Sequence, residues 1–483
     1  MHLSEYATFD GLGLAELVRR REVKPEELVQ TALSAIETVN PSLNAVIGLL
    51  DPRGTLEKGL PQGPFTGVPF LMKDLVLHMA GVPTDLGCRL FRGLVAPHDT
   101  TLMARFRQAG VVPLGRTNTP ELGFNATTEP VLHGPTRNPW HPEFSPGGSS
   151  GGSAAAVSAG IVPVAYANDG AGSIRIPASL CGLFGMKPTR GRTPAGPDVA
   201  DGLNGLGVEH VLSRSVRDCA AMLDATLGAD VGDPYTITPP ERPYLEEVGR
   251  EPGRLRIALS RVSASGVVAA PECVAAVESA ARLCQELGHD VVEAPPRYSL
   301  EAVEAAVVVI WSSGTATWVD GLAAMMGRKP GPEMLEASVW ATVEHGRGLK
   351  AVELQNAFAV MNQVSRELGR FFSEYDVLLT PTLPVAPYRL GTLNANAPTT
   401  VHEWMKQLFA FCAFTVTSNF TGQPAMNVPL HWSEQGLPVG VQFAGRFGDE
   451  ATLFRLAGQL ERARPWAQRR PPIHVANAHG RSA

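Results

Sequence analysis

Cysteine is scarce in this chain, and what there is forms no framework. Six cysteines stand at positions 88, 181, 219, 273, 284 and 412 of 483 residues, with no CxxC among them. A disulfide scaffold and a cysteine-based metal site are both disfavoured, and buried or incidental thiols are expected. The twelve histidines include no HExxH and no paired ligand spacing, so no metal is expected. Like charges never run to five in a row, and the net charge is −6. That excludes the basic footprint of a nucleic-acid partner. No unbroken apolar stretch nears the roughly 18 residues of a membrane span, so no membrane partner is expected. The opening residues, MHLSEYATFDGLGLAELVRRR, lack the basic and apolar regions of a signal peptide, and a cytoplasmic location is the expectation.

What is present reads as globular. Hydrophobic residues make up 44% and charged residues 18%, enough apolar material for a large core. Residues 1–60 read as mainly helical: apolar residues recur at helical spacing in LGLAELVRRREV and PEELVQTALSAIETVN, and Pro25 suits a first turn. FTGVPFLMKDLV reads as a buried strand entering a turn. The stretch from Thr101 reads as a helix ending at Gly110 and a strand near 111–114. Residues 228–255, rich in proline and charge, read as a surface connection. RLRIALS, APECVAAVESAARLCQELG and HDVVEAPP form a βαβ pattern, and PAMNVPLHW and LPVGVQFAG a hairpin around SEQG. Strands interleave with helices from end to end, without an internal repeat. One large α/β domain over 1–483 is the expectation.

Two glycine-serine stretches stand out. SPGGSSGGS (145–153) has no lysine after its glycines, so it is not a P-loop; its register also fails GxGxxG. The small-residue helix pattern directly behind it argues against a linker. NDGAGSIRIPASLCG (168–182) carries Ser173 behind Gly170, Ala171 and Gly172. Backbone of that kind can aim N–H groups at one point, as an oxyanion requires, or can be a plain turn. Lys73, in GVPFLMKDLV, has apolar residues before it. Burial would lower its pKa and make a neutral amine available as a base; pairing with Asp74 is the alternative. A lysine with two serine loops fits the Ser-Lys variant of serine catalysis.

At this point the chain resembles the amidase signature family. The stretch from Gly147 to Arg192 resembles the signature itself; VPFLMKDL, RSVRD (214–218), FTGQPAMNVPL and GLPVGVQFAG add to it. The likeness runs from about Leu14 to the closing helix and is densest over 64–193. Within the family, TTEP, GPTRNPW, the NDGAGSIRIPAS spelling and the PW…RRP ending most resemble 6-aminohexanoate-cyclic-dimer hydrolases. The resemblance implies a mixed central sheet covered by helices on both faces. It implies Ser173 as nucleophile, Ser149 as a bridging serine after a cis peptide, and Lys73 as base. Backbone N–H groups of Gly170, Ala171, Gly172 and Ser173 would form the oxyanion hole. Ser150, Asp169 and Arg175 would support the loops, the last two as an ion pair. Ala171 stands where other members usually have glycine, which puts the local backbone geometry in question.

The resemblance implies no cofactor, a small-molecule amide as substrate and a homodimer at the level of the family. Small apolar or ω-amino amides are the expected substrates. The amidase subunit of a tRNA-dependent amidotransferase, a fatty or aryl amide hydrolase, and an inactive binding protein on the same fold are the rival readings. Asn125, Trp404 and Phe411 are candidate pocket residues; Trp404, Leu408 and Phe411 share a helical face. Trp311, Trp318 and Trp340 are further aromatic candidates for a pocket wall.

Overall fold

The computed structural model describes residues 1–264 and 266–477. Eleven strands form one mixed sheet. They are β1 (Val46–Leu49), β2 (Pro69–Lys73), β3 (Val112–Thr117), β4 (Val164–Asp169), β5 (Phe184–Lys187), β6 (Val208–Ser213), β7 (Arg256–Leu259), β8 (Asp290–Glu293), β9 (Val377–Pro381), β10 (Ala425–Trp432) and β11 (Pro438–Gly445). The order across the sheet is β1-β3-β2-β4-β6-β5-β10-β11-β9-β7-β8. β2 lies parallel to both β3 and β4, whereas β6, β5, β10 and β11 pair antiparallel with their neighbours. β2, β4, β5 and β11 are buried at every residue, so both faces of the central sheet are covered.

Local chemistry explains the elements that hold the site. Pro25 opens helix Pro25–Leu43, and the chain leaves it at Asn44 in a left-handed conformation. Helix Gly151–Ser158 is buried along its whole length; only glycine, serine, alanine and valine fit where it packs behind β4. Residues 228–255 do run at the surface, but they include a short helix, Tyr244–Val248, that buries Tyr244 and Glu247. The mainly helical N-terminal region also contributes edge strand β1, which pairs with β3. The βαβ unit forms as expected, with β7 and β8 parallel, and the hairpin of β10 and β11 closes around Ser433–Gly436.

Among the described residues, helix Leu300–Met325 alone is long and apolar enough, by length and composition, to cross a membrane. Its serines, glycine and threonines hide it from a search for unbroken apolar runs. Val303, Val307, Ile310, Trp311 and Val319 are buried in the core. It is the central helix of a helical layer, packed on helices Ala337–Gly348 and Ala351–Glu374.

Candidate active site

Lys73 is the last residue of β2 and is fully buried. Strands on both sides keep water from its amine. Its Nζ lies 2.6 Å from Ser149 Oγ and 2.5 Å from Asn168 Oδ1. Burial drives its pKa well below 10.5; the charges of Asp169 and Glu209 oppose that shift without reversing it. The alternative pairing with Asp74 does not occur, because Asp74 meets Arg116 at 3.0 Å instead.

Ser149 follows a cis peptide after Gly148. The loop around it is tight. A Cβ on Gly148 would sit 2.5 Å from the Thr127 carbonyl oxygen and 2.7 Å from that of Asn125. Thr128 Oγ1 donates to the Gly147 carbonyl and accepts from the Gly151 N–H, which pins the loop. Ser150 donates to the Asn168 carbonyl at 3.3 Å. Ser153 and Ser158 donate to the carbonyls of Tyr166 and Cys181, which makes them packing residues of the helix.

The second loop leaves β4 at Asp169 and enters helix Arg175–Cys181. Asp169 and Arg175 form an ion pair at 2.9 Å with both side chains inaccessible to solvent. Asp169 also accepts the N–H of Gly172 at 2.6 Å and of Ile174 at 3.1 Å. Arg175 further donates to the Thr415 carbonyl, Gln442 Oε1 and Asn419 Oδ1. This fixes the turn on which Ser173 rides. The Ser173 hydroxyl, 9% exposed as a residue, has no hydrogen-bond partner among the described residues.

The loop narrows the expected set of oxyanion donors. Gly172 N–H is committed to Asp169, which leaves the N–H groups of Gly170, Ala171 and Ser173 without protein acceptors among the described residues. Gly172 has φ +133°, and a Cβ there would meet Thr415 Oγ1 at 2.5 Å, so glycine is required. Ala171 is not in a positive-φ conformation, so its methyl group brings no backbone strain. Its carbonyl accepts from Thr415 Oγ1 at 2.6 Å.

The expected pocket residues fare differently. Asn125 is turned to the scaffold: its amide donates to the Leu393 carbonyl at 3.0 Å, and its Oδ1 accepts from the Thr127 N–H. Trp404 is 1% exposed, with its indole N–H on the Phe124 carbonyl, so it is core and not pocket wall. Phe411 is partly buried and packs edge-on against Tyr388. Trp311 packs its ring against the Ser173 loop. A Cβ on Gly170 would stand 3.2 Å from its ring, and Phe124 lies 5.3 Å from it between centroids. Trp318 and Trp340 are partly buried members of the same cluster. Sequence reasoning missed Asn168, Thr415, Asn419 and Gln442. Asn168 carried a signal, since it is the first residue of the NDGAGS spelling, and Gln442 stands in the GLPVGVQFAG block; Thr415 and Asn419 come from a distant turn and helix and carried none.

A buried lysine on a hydroxyl, and a second hydroxyl set in a loop of free N–H groups, form an arrangement that Ser-Lys hydrolysis could use. Comparison with known proteins gives the family. The chain belongs to the amidase family, whose model matches residues 27–454, and it is an amide hydrolase of the amidase signature type. It is 37% identical over 478 residues to a 6-aminohexanoate-cyclic-dimer hydrolase of Paenarthrobacter ureafaciens, covering 96% of each chain. Its fold matches a structure of 6-aminohexanoate cyclic dimer hydrolase complexed with substrate at a TM-score of 0.90 and 36% identity, covering 97% of this chain and 99% of that one. It matches a bacterial aryl acylamidase at a TM-score of 0.86 and 28% identity, covering 98% and 99%.

Proposed function

We propose that the chain hydrolyses small apolar or ω-amino amides, of the 6-aminohexanoate type, through Ser173, Ser149 and Lys73. The observation that carries this reading is the fully buried Lys73 amine 2.6 Å from the Ser149 hydroxyl, where burial lowers its pKa well below 10.5. An ordinary lysine would be charged at neutral pH and useless as a base. Lys73 takes the proton of Ser149, and Ser149 takes that of Ser173. Ser173 Oγ adds to the amide carbon. The N–H groups of Gly170, Ala171 and Ser173 receive the developing oxyanion. On collapse the C–N bond breaks, and the departing amine takes a proton through Ser149, restoring neutral Lys73. The ester left on Ser173 is cleaved by water along the same route, which releases the carboxylic acid.

The substrate class rests on the likeness to the cyclic-dimer hydrolase and on the apolar side chains of Trp311 and Phe124 beside the loop. The likeness to an aryl acylamidase supports a second reading, in which that aromatic wall takes an aryl amide. A hydrolysis panel of cyclic and linear 6-aminohexanoate oligomers, aryl amides, fatty amides and glutamine separates the two. Preference for glutamine together with a need for partner subunits would overturn both in favour of an amidotransferase subunit. Ser173→Ala is expected to cost about 10⁴-fold or more in kcat. It should also abolish labelling by a fluorophosphonate; labelling that persists would remove Ser173 from the role.

A further inference from the structure

A chain of side chains leads away from Lys73 on the side opposite Ser149. Asn168 and Glu209 are register partners on the antiparallel strands β4 and β6, and Tyr166 lies two residues back on β4. Strand pleating therefore puts all three on one face of the sheet. Tyr166 Oη donates to Glu209 Oε2 at 2.7 Å. Asn168 Nδ2 donates to Tyr166 Oη at 3.2 Å and to the Leu75 carbonyl at 3.1 Å. Asn168 Oδ1 then faces Lys73 Nζ at 2.5 Å.

We propose that Glu209 and Tyr166 are positioning residues which, through Asn168, aim the lone pair of Lys73 at Ser149. The inference rests on the proposed role of Lys73 as base. Tyr166 has one proton and two acceptors in reach, Glu209 and the Leu75 carbonyl at 3.4 Å. The nearer, charged carboxylate holds that proton. The phenol oxygen is then free to accept from Asn168, and the Leu75 carbonyl is free for the other amide proton. With both amide protons placed, Oδ1 is the only Asn168 atom left for Lys73. A carbonyl oxygen accepts and cannot donate, so it holds an amine N–H. That N–H anchors the rotation of the amine and leaves its lone pair for Ser149.

Glu209 is partly buried and borders a cavity also lined by Arg190, Asp201, Asp233 and Tyr235. These groups face it from the loops, while Tyr166 faces it from β4 and Lys73 from β2. Burial pushes its pKa up to about 7, against the Tyr166 hydrogen bond and, whenever Lys73 is protonated, the Lys73 charge. A protonated Glu209 becomes a donor. Where that O–H points at Tyr166 Oη, Tyr166 turns its own proton towards the Leu75 carbonyl, in competition with Asn168.

The test is the rate of Ser173 labelling by a fluorophosphonate across pH, in the parent, Glu209→Gln and Tyr166→Phe. Thermal melting of each protein serves as a folding control, and kcat and KM are taken on the best amide of the panel. Tyr166→Phe is expected to lower the labelling plateau roughly tenfold, with KM changed less than about twofold. Glu209→Gln removes a negative charge that favours charged Lys73. Its acid limb should move to lower pH while its plateau falls. Profiles that superimpose on the parent after correction for folded fraction would overturn the proposal. So would slowing only in proportion to lost folded protein. If Glu209→Gln does not fold, Tyr166→Phe decides alone. Failure of the base reading is distinguishable: Lys73→Ala would then label as fast as the parent, which removes the relay with it.

Discussion

Asp169 is the residue on which the Ser173 loop turns. Its carboxylate receives two backbone N–H groups, the Asn419 amide and the Arg175 guanidinium, all away from water. Burial alone would raise its pKa; Arg175, Lys187 and the Asn419 amide together outweigh burial and hold it at about 2. A carboxyl depressed in the folded state stabilises the fold above its unfolded value of 3.8, and that contribution is lost as pH falls through about 2. Asp169→Asn leaves a buried Arg175 without its counter-charge and is expected to cost about 3–5 kcal/mol, read as a lower midpoint in urea. Lys73 has the opposite chemistry and the same sign of pH dependence. The unfolded chain protonates it below 10.5 whereas burial in the folded chain delays protonation to lower pH, so its burial costs stability that is recovered as pH rises towards 10.5. Activity that depends on the neutral amine should show a single acid limb in kcat/KM, assigned to Lys73 if Lys73→Ala abolishes it.

At the scale of elements, the site is the meeting of two strand ends with two glycine loops. β2 delivers Lys73, β4 delivers Asn168 and Asp169, and each loop is clamped by hydroxyls from elsewhere. Gly172 shows how little room the clamp leaves. Gly172→Ala must accommodate both the positive φ and the contact with Thr415, so we expect about 1–3 kcal/mol of destabilisation and a loss of kcat. A variant with parental melting and turnover would contradict that packing. Helix Leu300–Met325 supplies Trp311 to the other side of the loop. Trp311→Leu is expected to cost about 1–3 kcal/mol in kcat/KM for apolar amides, mainly through KM. An unchanged KM across the panel would take Trp311 out of the substrate wall.

Across the whole molecule, the eleven-stranded sheet brings residues far apart in sequence into one layer. Lys73 and Asn168 are 95 positions apart, and Arg175 and Gln442 are 267. RSVRD, read from sequence as a family block, proves to be a tie between distant segments. Arg214 donates to the Ala7 and Phe9 carbonyls, and Asp218 accepts the N–H groups of Gly11 and Leu12. The βαβ unit, the hairpin and the strand that ends at Lys73 were all legible, because each follows a local period or a local turn. Edge strand β1 was not, since its pairing with β3 is set by partner and not by composition. The placement of the candidate aromatics was not legible for a related reason. Trp404 and Phe411 share a helix face with Leu408, but only packing against Phe124 and Tyr388 determines which side of that face meets a loop.

The sequence by itself determined the family, the alternation of strands and helices, and the residue types of the site. Glycine where backbone must turn sharply, serine beside it and a lysine behind apolar residues are local requirements, and local requirements are written locally. Only the tertiary structure decided that Lys73 lies against Ser149 and not Asp74. Only it showed that Gly172 gives its N–H to Asp169, and that Asn168, Tyr166 and Glu209 stand in line behind the amine. Those outcomes depend on which strands become neighbours and how much water they exclude, and neither quantity exists until the sheet has closed.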